Sequence, residues 1–437
     1  MISIEWITIS SKYTLGVYFE LIVAKYALGV YFESMAHDRK RHIHPLFDSL
    51  LKFSPIIGLF GHRQVGKSTF VSSVVKEYRT LDDFETLAQA RSHPKKFIES
   101  RKMTPMAIDE CQLEPLLFPT LKEWVRIHKR PGQFVLSGSV RFTSRKAIRE
   151  SLAGRMATLE MYPLSIVEIA ELPLSNTILT LLSHTIFSTD SFRYMNPKAY
   201  LEKLEKAFVL YLEHGGLPGI CFIRNPTIKK STLNELHDLM LGRDLQLISD
   251  FRTPAISIKN LLAYIAELGF KPYNASSVSR KLGLAAATQK NILFALESIF
   301  LIRRIPFSKG KKEIVLLEDQ FEEKVYGRSK LNSVELAETA VYRNIRSQLG
   351  YQLDKTSTIE SYLTRNGARV PIVIRNETKV LGIIVTEGET PSLSEIRSGA
   401  SFLKNYATSK ILYLTQKRFE PKVLDERSMH CSIFSVI

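Results

Sequence analysis

The segment Gly61-His62-Arg63-Gln64-Val65-Gly66-Lys67-Ser68 fits the pattern G-x-x-x-x-G-K-[ST], and Thr69 follows it. Glycines at that spacing let a backbone curl so that its amide N–H groups face phosphate oxygens. A lysine in the position of Lys67 reaches the outer phosphates, and a hydroxyl in the position of Ser68 ligates Mg2+. The expected ligands of residues 61–69 are therefore ATP and Mg2+.

Three further clusters extend this chemistry. Asp109-Glu110 ends a short apolar run, Met106 to Ile108. This is a Walker B pattern: Asp109 is the expected second holder of Mg2+ beside Ser68, and Glu110 the expected base that polarises the attacking water. Ser137-Gly138-Ser139 ends the next apolar run, Phe134 to Leu136. Polar residues at a strand's carboxyl end face a bound ligand, which makes Ser139 a candidate sensor of the outer phosphate. Arg141, Arg145 and Arg149 are spaced by four and share one helical face, most simply a solvated one. Arg155 follows in Leu152-Ala153-Gly154-Arg155 and is a candidate to reach a neighbouring subunit's phosphate. The expected catalytic set is Glu110, Lys67, Ser139 and Arg155.

These residues need elements to position them. Ile56 to Phe60 is a continuous apolar run, as in a strand buried on both faces. The glycine-rich segment follows, then FVSSVVKEY with helical periodicity. Strands alternating with helices predict an α/β, doubly wound parallel sheet. Residues 160–250 read mostly helical, broken at His214-Gly215-Gly216-Leu217-Pro218. Residues 255–310 offer three short helices and then a basic turn, Ser308-Lys309-Gly310-Lys311-Lys312, within a β-ribbon. That is the order of a winged helix. A helix over 333–349, strand-like runs at 361–364, 369–374 and 380–385, a helix over 392–406 and a strand at 411–414 make a further α/β module.

The chain has 437 residues, 45% apolar and 24% charged. Those proportions exclude wholesale disorder, collagen and a disulfide scaffold. Cys111, Cys221 and Cys431 lie far apart, which fits a reducing, cytoplasmic setting. No apolar run is long enough to span a membrane. Near the N-terminus KYTLGVYFE (residues 12–20) returns as KYALGVYFE (residues 25–33), a short direct repeat. Residues 1–34 are expected to be a dispensable extension. The net charge is +16, and residues 251–310 hold nine Lys/Arg against two acids. A basic module of this size suggests a polyanionic partner without identifying one.

The ordered motifs FGHRQVGKST, TLDDFETLAQA, MAIDECQ, FVLSGSV, SLAGR, YPLSIVEIAEL and EHGGLP carry a resemblance. The sequence closely resembles prokaryotic AAA-type ATPases that bear a C-terminal domain of unknown function, with a winged helix and a restriction-endonuclease-like fold. LYLEHGGLPGI and SVELAETAVYRNI extend the match into the tail. Beyond the extension at 1–34, the resemblance, which runs from about residue 40 to the C-terminus, implies a P-loop ATPase domain at 35–185 and a helical lid or linker at 186–254. It then implies a winged helix at 255–315 and a nuclease-like domain at 316–437. Relatives often carry Glu-Val-Asp and Glu-Val-Lys in the nuclease core. Here the corresponding places are Pro371, Ile384 and Thr386, with Glu338 retained. One carboxylate is too few to hold the Mg2+ of phosphodiester cleavage, so the module is expected to be inactive.

The expected function is Mg2+-dependent ATP binding and hydrolysis that switches the tail. Two downstream roles stay open: DNA binding through residues 255–315, or an oligomerising platform for a protein partner. A nucleotide-binding protein with little turnover is the third reading.

Overall fold

The computed structural model describes residues 39–141, 152–248, 253–327, 330–353 and 356–437, and residues 39–437 make one compact unit. The expected extension at 1–34, Arg145 and Arg149 lie outside the described residues.

The first sheet is the expected doubly wound parallel one. Its strands are β1 (Ile56–Phe60), β2 (Glu77–Thr80), β3 (Met106–Asp109), β4 (Phe134–Gly138) and β5 (Met156–Glu160), in the order β2-β3-β4-β1-β5. All its pairings are parallel. Side chains alternate between two cores, as the two-residue period of a strand requires. Ile56, Phe60, Met106, Ile108, Phe134 and Leu136 pack on one face, against helix Leu117–Ile127. Ile57, Leu59, Ala107 and Val135 pack on the other, with Phe47, Phe70 and Val71. Burial on both faces is why β1, β3 and β4 read as unbroken apolar runs.

One element departs from the sequence reading. The helix after the glycine-rich loop spans only Lys67–Val74, and Glu77-Tyr78 begin edge strand β2. Tyr78 pairs with Ala107 in the β3 ladder, so tertiary pairing overrides the helical periodicity of FVSSVVKEY.

The tail begins with helices. Lys198–His214 packs in one core with helix Ser333–Gly350 and the second sheet. The expected lid segment thus shares apolar residues with the C-terminal module. Helices Ala255–Ala266, Ala275–Leu282 and Ala286–Ser298 precede a two-stranded ribbon, β6 (Ile302–Pro306) and β7 (Glu313–Leu317). This matches the predicted order of three helices and a ribbon.

The second sheet holds β8 (Ser357–Leu363), β9 (Arg369–Asn376), β10 (Lys379–Thr386), β11 (Ser409–Thr415), β12 (Lys422–Asp425) and β13 (Ser428–Ser432), in the order β12-β13-β11-β10-β9-β8. Helix Ser333–Gly350 covers one face through Ala337, Val341 and Ile345 against Ile372, Leu381 and Ile383. Helix Leu393–Asn405 covers the other through Phe402 against Val373, Ile384 and Ile411. Pro371 sits inside β9, beside the irregular register of β8 between Glu360 and Tyr362, where a missing N–H is tolerated. Among the described residues no helix is long and apolar enough to cross a membrane.

Candidate functional site

The glycine-rich loop leaves the carboxyl end of β1 and enters helix Lys67–Val74. Gly66 has φ +93°, a left-handed conformation that glycine adopts at little cost. Gly61 is equally constrained, because a Cβ there would stand 2.2 Å from the carbonyl oxygen of Met161. Lys67 is buried, and its Nζ donates to the carbonyls of Gly61 at 2.9 Å and His62 at 2.8 Å. Burial pulls its ammonium below the ordinary lysine value, against the opposing pull of Glu110 and Asp109.

The loop is braced from outside. Arg41 donates to Val65 O at 2.8 Å and Tyr162 O at 2.6 Å, and its Nε pairs with Glu168 at 3.1 Å. Glu168 closes a capping box with Ser165. That box accounts for part of the motif YPLSIVEIAEL. In LYLEHGGLPGI, Gly216 N donates to Asp319 Oδ2 at 2.7 Å, and a Cβ on Gly219 would press on Gln64.

The acidic strand faces this loop. β4 lies between β1 and β3, so the ends of all three strands meet at one edge. Asp109 accepts from Ser137 Oγ at 2.5 Å and from Tyr78 OH at 2.6 Å, and Ser68 also hydrogen-bonds it. Burial works against its ionisation, yet these donors hold its carboxyl below the usual aspartate value. Glu110 has φ +51°, a left-handed backbone for a non-glycine residue, as is common where a functional group is held in place. The Gln112 amide donates to Glu110 Oε2. Burial raises the Glu110 carboxyl, with Lys67 and Arg63 opposing.

Arg63 points away from the sheet into the tail. Its Nη2 donates to Asp244 Oδ1 at 2.9 Å and its Nε to Oδ2 of the same carboxylate. Asp244 ends a π-helical turn, Met240–Asp244, that continues helix Pro226–Leu239. Asp244 Oδ2 also accepts from Ser139 Oγ at 3.5 Å.

Comparison with known proteins places these parts. Residues 53–170 match the family described as AAA domain, and residues 205–316 match a domain of unknown function, DUF8612. The glycine-rich loop, the acidic strand and the strand between them all fall inside the first match. Residues 53–170 match that model and have the fold of a P-loop NTPase. Uncharacterised proteins of Mycobacterium tuberculosis and Mycobacterium bovis are each 24% identical over 254 residues, 58% of this chain and 50% of theirs. The chain thus spans about half the length of these relatives. The Walker-type ATPase PABY2304 of Pyrococcus abyssi is 15% identical, with 66% of this chain and 95% of that chain covered, at a TM-score of 0.39. AMPPCP-bound DnaA from Aquifex aeolicus is 11% identical, with 59% and 85% covered, at a TM-score of 0.23.

The P-loop domain brings Lys67, Ser68, Asp109, Glu110 and Ser139 to one edge of its sheet. Arg155 is not brought there. It immediately precedes β5, whose Met156 pairs with Ile56 at the amino end of β1. The P-loop leaves the other end, five residues of strand away, roughly 17 Å at 3.3 Å per residue. Arg155 therefore cannot serve this chain's own loop, and only a role toward another subunit is geometrically open to it. Arg141 is not on a plain solvated face either: its Nε donates to Glu297 O at 3.0 Å, and it pairs with Glu160 at 3.3 Å. Sequence reasoning missed Tyr78, Gln112, Arg41 and Asp244. Asp244 follows Gly242-Arg243 far from any nucleotide motif, and only the chain's return brings it to Arg63.

Proposed function

We propose that the chain binds Mg·ATP at residues 61–69, hydrolyses it, and transmits the nucleotide state to its tail. The observation that carries the first half is the Asp109 cluster, in which Ser137, Tyr78 and Ser68 hold one ionised carboxylate beside the loop lysine. A cation needs such a fixed anionic oxygen, and Ser68 and Asp109 are the residues that would hold Mg2+. Mg2+ supplies charge neutralisation of the phosphates when bound. Lys67 would exchange its two carbonyl acceptors for phosphate oxygens. Glu110, kept partly protonation-prone by burial and held by Gln112, would accept a proton from water. Ser139 would report on the outer phosphate through Asp244.

The second half rests on three polar contacts between the P-loop domain and the tail. Arg63 joins Asp244; His62 Nε2 lies 3.1 Å from Glu322; and Glu160, at the end of β5, joins Arg303 of β6, which stands 3.6 Å from Glu318. A loop that changes its contacts on binding phosphate would pull on all three. Labelled-ATP binding by the wild type and by Lys67→Ala tests the reading, with loss in the variant expected.

For the tail, we favour a protein-interaction platform over a free DNA-binding wing. The ribbon turn is tied down: Phe307 is buried, Ser308 N donates to Ser361 O at 2.8 Å, and Lys309 Nζ reaches Asn405 Oδ1 at 3.4 Å. Gln289, at the start of the third helix, is buried and donates to Ala275 O, Ser279 Oγ and Leu284 O, so it cannot read a base. Arg303 and Arg304 are engaged with Glu160 and Glu313. Fluorescence anisotropy with a labelled duplex at two salt concentrations separates the readings. Salt-dependent binding abolished by changing Lys309, Lys311 and Lys312 together to Glu would restore the DNA role.

A further inference from the structure

His62, the first variable residue of the phosphate loop, turns its ring away from the phosphate edge. Its Nε2 lies 3.1 Å from Glu322 Oε1, and His237 Nε2 lies 2.7 Å from the same oxygen. All three side chains are fully buried. The three atoms lie within 4.8 Å of one another, and no other trio of His, Cys, Asp or Glu converges in this way among the described residues. His62 comes from the loop, His237 from helix Pro226–Leu239 and Glu322 from helix Gln320–Tyr326.

The outward atoms of all three groups are fixed. His62 Nδ1 lies 2.6 Å from Arg63 O, which can only accept, so that nitrogen carries the proton. His237 Nδ1 pairs with Tyr326 OH at 2.8 Å, and the two rings stack at 5.2 Å. Glu322 Oε2 accepts from Asp319 N at 3.0 Å. The inward atoms are left facing one another. This is the outer arrangement that metal-ligating histidines and carboxylates show. Hydrogen bonding alone accounts for it poorly. His237 Nε2 already hydrogen-bonds Glu322 Oε1 at 2.7 Å, whereas His62 Nε2 lacks the alignment of a hydrogen bond despite its short contact. His62 Nε2 is thus the atom of the trio left without a hydrogen-bond partner, and in the tautomer with its proton on Nδ1 its lone pair can take a cation.

We propose that His62, His237 and Glu322 hold a divalent transition-metal ion of the zinc class, which pins the phosphate loop to the two tail helices. Two imidazoles and a carboxylate suit zinc, whereas a nucleotide's Mg2+ prefers oxygen ligands alone. The site is separate from Ser68 and Asp109 and does not depend on ATP turnover. Its burial gives the ion a positioning role.

The test uses the full chain, dialysed against a strong chelator and titrated with Co2+ and then with Zn2+. One Co2+ per chain with visible d–d absorption, displaced by Zn2+, is expected. Zn2+ should also raise the melting temperature, because an ion that binds only the folded state stabilises it. His237→Gln and Glu322→Gln should each abolish the absorption. If either variant fails to fold, Tyr326→Phe is the milder probe and should weaken the ion about 10–100-fold, as loss of an outer hydrogen bond does. A folded wild type that takes up neither ion and melts unchanged with Zn2+ would overturn the proposal and leave a hydrogen-bonded trio. ATP binding is measured on the same sample, so failure of the nucleotide reading is seen separately.

Discussion

Arg63 and Asp244 stand 181 residues apart in sequence and form a two-pronged ion pair, with Nη2 to Oδ1 at 2.9 Å. Asp244 is fully buried, while 12% of the Arg63 side chain is exposed. The asymmetry predicts unequal costs. Arg63→Ala strands a buried carboxylate and should destabilise by about 3 kcal/mol. Asp244→Ala leaves a guanidinium that can turn to water and should cost about 1–2 kcal/mol. In urea unfolding the double variant should cost less than the sum of the two, by about 1 kcal/mol or more. Strict additivity would mean that the pair does not couple the loop to the tail.

Ser137 donates to Asp109 Oδ1 at 2.5 Å, on the opposite oxygen from Tyr78. Ser137→Ala removes one of the hydrogen bonds that keep Asp109 ionised. The Mg2+ concentration needed for half-maximal ATP binding should rise about tenfold, the worth of one hydrogen bond to a charged group. An unchanged Mg2+ requirement would show that Asp109 does not hold the ion.

Lys410 is buried under helix Thr177–Ser183 and donates to Leu181 O and His184 O. Burial, with the nearby Lys379 adding to it, depresses its ammonium to about 8 from an ordinary 10.5. Between those values the unfolded chain keeps the proton that the folded chain has lost. Stability should therefore rise as pH increases through that window, and the deficit should be complete below about pH 8. Discounted for partial solvent screening, the effect is on the order of 2 kcal/mol. Urea midpoints at pH 7.5 and pH 10 should diverge by less in Lys410→Met than in the wild type; parallel behaviour would contradict the assignment.

Much of this architecture was legible from the residues. Ile56–Phe60, Met106–Asp109 and Phe134–Gly138 are buried on both faces, and continuous apolarity is what such strands require. The P-loop pattern, Asp109 and Glu110 are local in sequence and read directly. β2 was not legible, because Glu77–Thr80 is a half-exposed edge whose strand character comes only from pairing with β3. Asp244, Glu322 and His237 were hidden for a different reason. His237 and Glu322 lie on helices and Asp244 ends a π-helical turn, and the partner of each in the loop is decided by tertiary packing. SLAGR fixes the place of Arg155 in the chain but not the end of the sheet at which β5 begins, so its distance from the chain's own loop was not legible.

The C-terminal sheet carries a further expectation. Glu338 is buried, its carboxyl is raised by burial, and its partner is Arg369 at 2.5 Å. The Glu338 carboxylate is already paired with a guanidinium, and Ile384 lies in the apolar layer with Phe402. Plasmid incubated with the full chain and Mg2+ or Mn2+ should stay intact. Cleavage that disappears in Glu338→Gln would show that one carboxylate suffices.

The central claim is nucleotide chemistry at Lys67, Asp109 and Glu110, and one paired measurement reaches it most directly. ATP binding and phosphate release are followed on the same preparations of wild type, Lys67→Ala and Glu110→Gln. The wild type should bind Mg·ATP and release phosphate. Lys67→Ala should lose binding by more than about tenfold, since a charge-assisted partner of the phosphates is gone. Glu110→Gln should keep binding while turnover falls by about 10²–10⁴. A folded wild type that binds no labelled nucleoside triphosphate, or a Glu110→Gln variant that hydrolyses at the wild-type rate, would contradict the account.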